Sequence, residues 1–212
     1  MDGRVAVLAS GAGSNLGALL SDPEVGPRIV LVLTDRPGAG ALERAREAGV
    51  ATETVDREAF PDRAAFDRGL LERLRAHAVD ALVLAGYMRI LGPEVVRAFP
   101  DRILNVHPSL LPAFPGPHAV REALAWGVRV TGCTVHLVDE EVDHGPIVFQ
   151  EAVPVVPGDD EASLHARIKQ AEHRLLPAAA RLLVEGRLAV EDRMVRVLPV
   201  PDGAPLGERV GP

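Results

Sequence analysis

The sequence predicts an α/β fold: a Rossmann-like, doubly wound, mostly parallel sheet with an antiparallel C-terminal portion. Three observations predict it. Over the first hundred residues, short apolar runs alternate with stretches of helical period, and strands that are apolar throughout need cover on both faces. The first of these runs ends in a glycine turn that opens a helix. After residue 128 the alternation stops, and two strand-like runs follow one another across a short acidic connection.

The elements follow in order. Residues 4–9 are short, apolar and followed by glycines, as a buried strand should be. Residues 11–15 form a turn, and residues 16–20 open a helix. Residues 29–33 make a second buried strand. A helix over 39–48 ends at Gly49, the glycine expected beyond a helix C-terminus. Residues 51–55 give a third strand. Phe66, Leu70, Leu71 and Leu74 recur at helical spacing within an amphipathic helix over 63–77. Residues 81–85 and 103–106 are the fourth and fifth strands. The runs 129–138 and 147–156 pair antiparallel around the acidic segment 139–146. A long helix over about 161–185 closes the fold, and the Pro- and Gly-rich stretch 199–212 is irregular. No repeat and no linker divides the chain, so 1–212 is expected to be one domain.

Composition narrows the function. Apolar residues are 47% and charged residues 25%, ordinary for a globular domain. At 3%, aromatics are too few for a base-stacking surface. A net charge of −7 with no basic run disfavours nucleic acid and anionic membranes as partners. Lys169 is the only lysine, and no Schiff-base or P-loop motif surrounds it. Cys133 is the only cysteine, which rules out an internal disulfide and a thiolate metal cage. No signal-like or membrane-spanning run is evident, and a cytoplasmic location is expected.

Three motifs carry candidate chemistry. In the turn Gly11-Ala12-Gly13-Ser14-Asn15, amides and a helix N-terminus can meet an anion. It lacks the third glycine of a dinucleotide fingerprint, the lysine of a Walker loop and the flanking glycines of a hydrolase elbow. Phosphate binding and a plain tight βα turn both remain open. The second motif is the strand end Asn105-Val106-His107-Pro108. Period two puts Asn105 and His107 on one side, at the carboxyl end of a parallel strand where open sheets bind ligands. The alternative is a strand-end cap with an exposed histidine, although the rigid loop through Pro115-Gly116-Pro117-His118 speaks against it. The third motif, Asp143 within 139–146, reads as a solvated acidic turn, as a carboxylate that stabilises a protonated histidine, or, with His136 and His144, as a metal site. No helical i, i+4 histidine pair supports the metal.

Taken together, four segments resemble a family. They are Ser10-Gly11-Ala12-Gly13-Ser14-Asn15, Leu84-Ala85-Gly86-Tyr87-Met88-Arg89-Ile90-Leu91, Asn105-Val106-His107-Pro108-Ser109-Leu110-Leu111-Pro112 and Asp143-His144-Gly145-Pro146. In this order and spacing the sequence resembles the phosphoribosylglycinamide formyltransferases, folate-dependent enzymes of purine synthesis, over about residues 5–188. The resemblance implies a formyltransferase fold, with residues 1–100 as the half that binds ribonucleotide phosphate and 101–190 as the catalytic and folate half. It implies transfer of the formyl group of 10-formyltetrahydrofolate, a co-substrate, to the amine of glycinamide ribonucleotide, without a metal. Asn105, His107 and Asp143 would be catalytic. Gly13, Ser14, Asn15 and Glu172 would bind the ribonucleotide. Arg63, Met88, Arg89, Ile90 and Leu91, with Asn105, would meet the folate. His144 stands where the family commonly has glycine, and nothing beyond about Glu191 receives a role.

Such a reaction needs stabilisation of the oxyanion formed when the amine attacks the formyl carbon. Asn105 and protonated His107 are donors for it, and one such donor is worth roughly 3–4 kcal/mol. Asp143 would stabilise the imidazolium and help to move the amine proton. Two other formyl-group enzymes share the Asn-x-His core. One acts on initiator methionyl-tRNA and is expected to carry a basic C-terminal module; the other, a formyltetrahydrofolate hydrolase, an N-terminal regulatory domain. A non-catalytic phospho-sugar or folate-binding module would keep the Gly13 turn without needing Asn105, His107 and Asp143 together. The protein is expected to act on small molecules as a monomer or homodimer.

Overall fold

The computed structural model describes residues 3–200. The irregular stretch expected over 199–212 lies outside the described residues except for its first two. Among the described residues nine strands form one sheet: β1 (Val5–Leu8), β2 (Ile29–Thr34), β3 (Ala51–Thr54), β4 (Ala81–Leu84), β5 (Ile103–His107), β6 (Val130–Leu137), β7 (Ile147–Pro154), β8 (Leu188–Glu191) and β9 (Met194–Val197). Their order is β3-β2-β1-β4-β5-β6-β7-β9-β8. The first five run parallel, whereas β6 lies antiparallel to β5 and β7 antiparallel to β6. The order reverses at β1, whose neighbours are β2 and β4, so the chain leaves a crevice above the carboxyl ends of these strands.

Alternation along β1 divides the core. Val5 and Val7 pack with Leu16 and Leu19 of α1 (Ser14–Ser21), Ala41 and Ala45 of α2 (Gly40–Glu47), and Leu164, Ile168 and Leu176 of a long C-terminal helix. Ala6 and Leu8 face the other way, against Phe66, Leu70 and Leu74 of α3 (Arg63–Ala76) and Val95 of α4 (Pro93–Ala98). Each fully buried leucine contributes about 1.5–3 kcal/mol, so losing either face would unfold the sheet. Asp62 caps α3 by accepting from the Ala65 amide. The C-terminal helix, α6 (Glu161–Val184), begins with a reciprocal box between Asp160 and Ser163 and crosses β4, β5, β6 and β7.

The sheet, the antiparallel pair and the long helix agree with the sequence reading. Two further helices and a hairpin were not predicted. α4 has six residues and is opened by Pro93, too short to show a period. α5 (Ala119–Trp126) follows directly on the proline-rich loop and ends at Gly127 in the left-handed region. The hairpin β8–β9 is built from two four-residue strands with charged residues among them, and it pairs with β7 only through Ile147 and Met194. The third strand is the sheet edge, which explains its polar Thr52, Glu53 and Thr54.

Candidate active site

The glycine turn after β1 is constrained twice. Gly13 sits at φ +75°, and a Cβ there would lie 2.8 Å from Ala41 Cα, so α2 approaches too closely for any side chain. The first amides of α1 have no intrahelical acceptors, and no side chain caps them. Asn15 is buried and donates from Nδ2 to Glu172 Oε2 at 2.8 Å, while its Oδ1 has no partner. Glu172, on α6, is 3% exposed. Burial pushes its carboxyl above the ordinary value, against the hydrogen bond from Asn15 and the charges of His173, Lys169 and His107.

A cavity of about 530 Å³ opens beside this turn. Residues 11–15, the segment 84–91, Asn105, His107, Asp143 and, from α6, His165, Lys169 and Glu172 all line it. The structure thus brings together Gly13, Ser14, Asn15, Glu172, Met88, Arg89, Ile90, Leu91, Asn105, His107 and Asp143. Arg63 is the exception. It does not line the cavity; its Nη2 donates to the carbonyls of Ile90 and Leu91 at 3.2 and 3.0 Å and braces the loop instead. Met88 and Ile90 present large apolar side chains, 59% and 58% exposed.

At the end of β5 the polar groups interlock. His107 Nε2 is 2.8 Å from Phe114 O, and because a carbonyl only accepts, that nitrogen carries a proton. The other ring nitrogen, Nδ1, lies 3.3 Å from Asp143 Oδ2. Nε2 thus has a backbone acceptor, and Nδ1 faces the Asp143 carboxylate at the edge of the cavity. Asp143 also accepts from the Gly116 amide at 2.7 Å, so the proline-rich loop holds histidine and carboxylate alike. Burial pushes the Asp143 carboxyl up, but contact with His136, the Gly116 amide and the charges of His107 and His136 outweigh it and hold it below the ordinary value.

Two residues outside the expected set belong to this cavity. His136, on β6, places Nδ1 2.8 Å from Leu137 O and Nε2 3.0 Å from Asn105 Nδ2 and 3.7 Å from Asp143 Oδ1. Asn105 Nδ2 is also 3.4 Å from Asp143 Oδ1, a long and weak contact. The sequence signal was the pairing partner of Asn105 across an antiparallel strand, which needs register, and register is not readable from one strand. Lys169 was set aside for want of a motif. It lines the cavity one helical turn from His165 and three residues before Glu172, and forms no ion pair among the described residues. His144 turns away to Asp139 Oδ2 at 2.7 Å, and its carbonyl accepts from Arg193 Nη2 at 2.6 Å.

The sequence and the fold match known proteins. The formyl transferase family model matches residues 3–180. Phosphoribosylglycinamide formyltransferase of Mycobacterium tuberculosis (strain ATCC 25618 / H37Rv) is 50% identical over 203 residues, covering 92% of this chain and 94% of the relative. The trifunctional purine biosynthetic protein adenosine-3 of Gallus gallus is 46% identical over 190 residues, 88% of this chain, which spans only 19% of that longer protein. Among solved structures, glycinamide ribonucleotide transformylase 1 from Symbiobacterium toebii superposes with a TM-score of 0.89 at 53% identity, covering 92% of this chain and 94% of that one. The chain belongs to the formyl transferase family and groups within it with the phosphoribosylglycinamide formyltransferases.

Proposed function

We propose that the protein transfers the formyl group of 10-formyltetrahydrofolate to the amine of glycinamide ribonucleotide, a step of purine biosynthesis. The observation that carries this reading is the single cavity in which an anion-binding turn, an apolar loop and the Asn105–His107–Asp143 group face one another. The ribonucleotide phosphate fits the amides of residues 13–15, with Lys169 supplying the compensating charge and Glu172 a buried acceptor. The folate fits against Met88, Ile90 and Leu91, whose backbone Arg63 braces. Residues from both halves of the domain serve both ligands, so the division near residue 100 is one of topology and not of ligand.

In the reaction the amine nitrogen bonds to the formyl carbon, the bond from that carbon to folate N10 breaks, and one proton passes from the amine to N10. Asn105 Nδ2 donates to the oxyanion with the hydrogen that Asp143 meets only at 3.4 Å. His107, held between Phe114 O and Asp143, contributes positive charge beside it. Asp143, being a weak base at its lowered pKa, acts as a fixed charge that orients imidazolium and relays the proton to water rather than keeping it. The reading includes action on small molecules without nucleic acid or membrane, a cytoplasmic location, and work as a monomer or homodimer, the cavity being complete within one chain. Among the described residues no helix is long and apolar enough to cross a membrane.

Mixing the protein with both substrates and following folate absorbance tests the reading. Asn105→Ala is expected to lower kcat by about 10²–10³ with little change in either KM. Absence of turnover in the unaltered protein, or near-normal kcat in the variant, would contradict it.

A further inference from the structure

Outside the catalytic group, one buried side-chain network ties three strand ends together. Asp35 follows β2, and its side chain is 1% exposed. Its Oδ1 accepts from Ser10 Oγ at 2.5 Å, and its Oδ2 from Arg89 Nε at 2.8 Å. Ser10, itself buried beyond β1, accepts in turn from the Met88 amide at 2.9 Å. Ser10 thus uses its one proton on Asp35 and a lone pair on the loop after β4. The carboxylate reaches that loop twice, through the hydroxyl to Met88 N and directly to Arg89.

We propose that Asp35 is a positioning residue for the folate-side segment 88–91, an inference that rests on the assignment of this segment to 10-formyltetrahydrofolate. A buried carboxylate is costly unless its partners are fixed. Here both partners lead into the loop that lines the cavity, and neither leads into the hydrophobic core. Ser10 stands immediately before the phosphate turn, but its own amide is tied to Gly86 O and its hydroxyl to Met88 N. Removing Asp35 therefore loosens the loop at Met88 and Arg89, where Arg63 does not reach, and leaves the Gly13 turn, which rests on Ala41, in place. Arg89, although its side chain is 45% exposed, is held by its partner and is not a free cation for the ligand.

The test compares Asp35→Ala and Asp35→Asn with the unaltered protein, varying both substrates and measuring amide hydrogen exchange. Asp35→Ala is expected to raise the KM for 10-formyltetrahydrofolate about tenfold while the KM for glycinamide ribonucleotide changes by less than about twofold. Asp35→Asn keeps an acceptor for Ser10 and is expected to fall between. Exchange in 86–91 should quicken in both variants while 11–15 stays as before. Parallel rises in both KM values, or an unchanged folate KM with unchanged exchange in 86–91, would overturn the inference. If Asp35→Ala does not fold, the isosteric Asp35→Asn decides by the same two measurements. If the unaltered protein turns over no 10-formyltetrahydrofolate, the assigned activity fails separately, and exchange in 86–91 alone decides whether Asp35 holds the loop.

Discussion

Glu172 shows how a binding residue works against stability. Its carboxyl is raised because burial penalises the charged form more than Asn15 and the nearby cations favour it. The folded protein therefore holds this proton more tightly than the unfolded chain. The stabilising contribution is full below the ordinary value of 4.5 and is lost as pH rises through the folded value. Glu172→Gln keeps an acceptor for Asn15 without the charge. It is expected to melt at a higher temperature than the unaltered protein at pH 8, with the difference shrinking toward pH 4.5, while the KM for the ribonucleotide rises; melting curves across pH check it. At this scale the sequence was informative where chemistry repeats a pattern. Asn105 and His107 are two apart on a strand, and Asp143 lies on a distinctive acidic turn. His136 and Lys169 were not legible, because one depends on strand register and the other on the rotation of a long helix.

Elements decide where these side chains can sit. α1 meets the cavity with its N-terminus because Gly13 takes a left-handed backbone against Ala41. Gly13→Ala should cost about 2–4 kcal/mol, combining left-handed strain with the collision, and denaturant unfolding would measure it. The sequence reading left anion approach and a plain tight turn both open for Gly13; helix packing is a further reason, visible only once α2 is placed. The β8–β9 hairpin, illegible because its strands are short and carry no clean alternation, reaches back through Arg193 to the carbonyl and ring of His144, next to Asp143. Arg193→Ala is expected to lower kcat several-fold by loosening this loop, with a melting temperature nearly unchanged because the contact is exposed. Steady-state kinetics beside a thermal scan would separate the two effects.

For the molecule as a whole, alternating apolar runs and helices made the parallel half legible, because burial on both faces leaves a mark on every residue of a strand. Sheet order and the partner of each antiparallel strand left no such mark, and they are what bring residue 15 to residue 172 and residue 107 to residue 143. The same global view gives the scarcity of lysine a practical meaning. With 23 basic residues and Lys169 the sole lysine, an amine-directed reagent has one side-chain target in the chain, and that target lines the cavity. Acylation should therefore act as a site-directed footprint without any engineering. One side-chain adduct per molecule is expected by intact mass, apart from the α-amino group. Glycinamide ribonucleotide should protect Lys169 and folate should do so less, and equal labelling with and without the ribonucleotide would place its phosphate elsewhere.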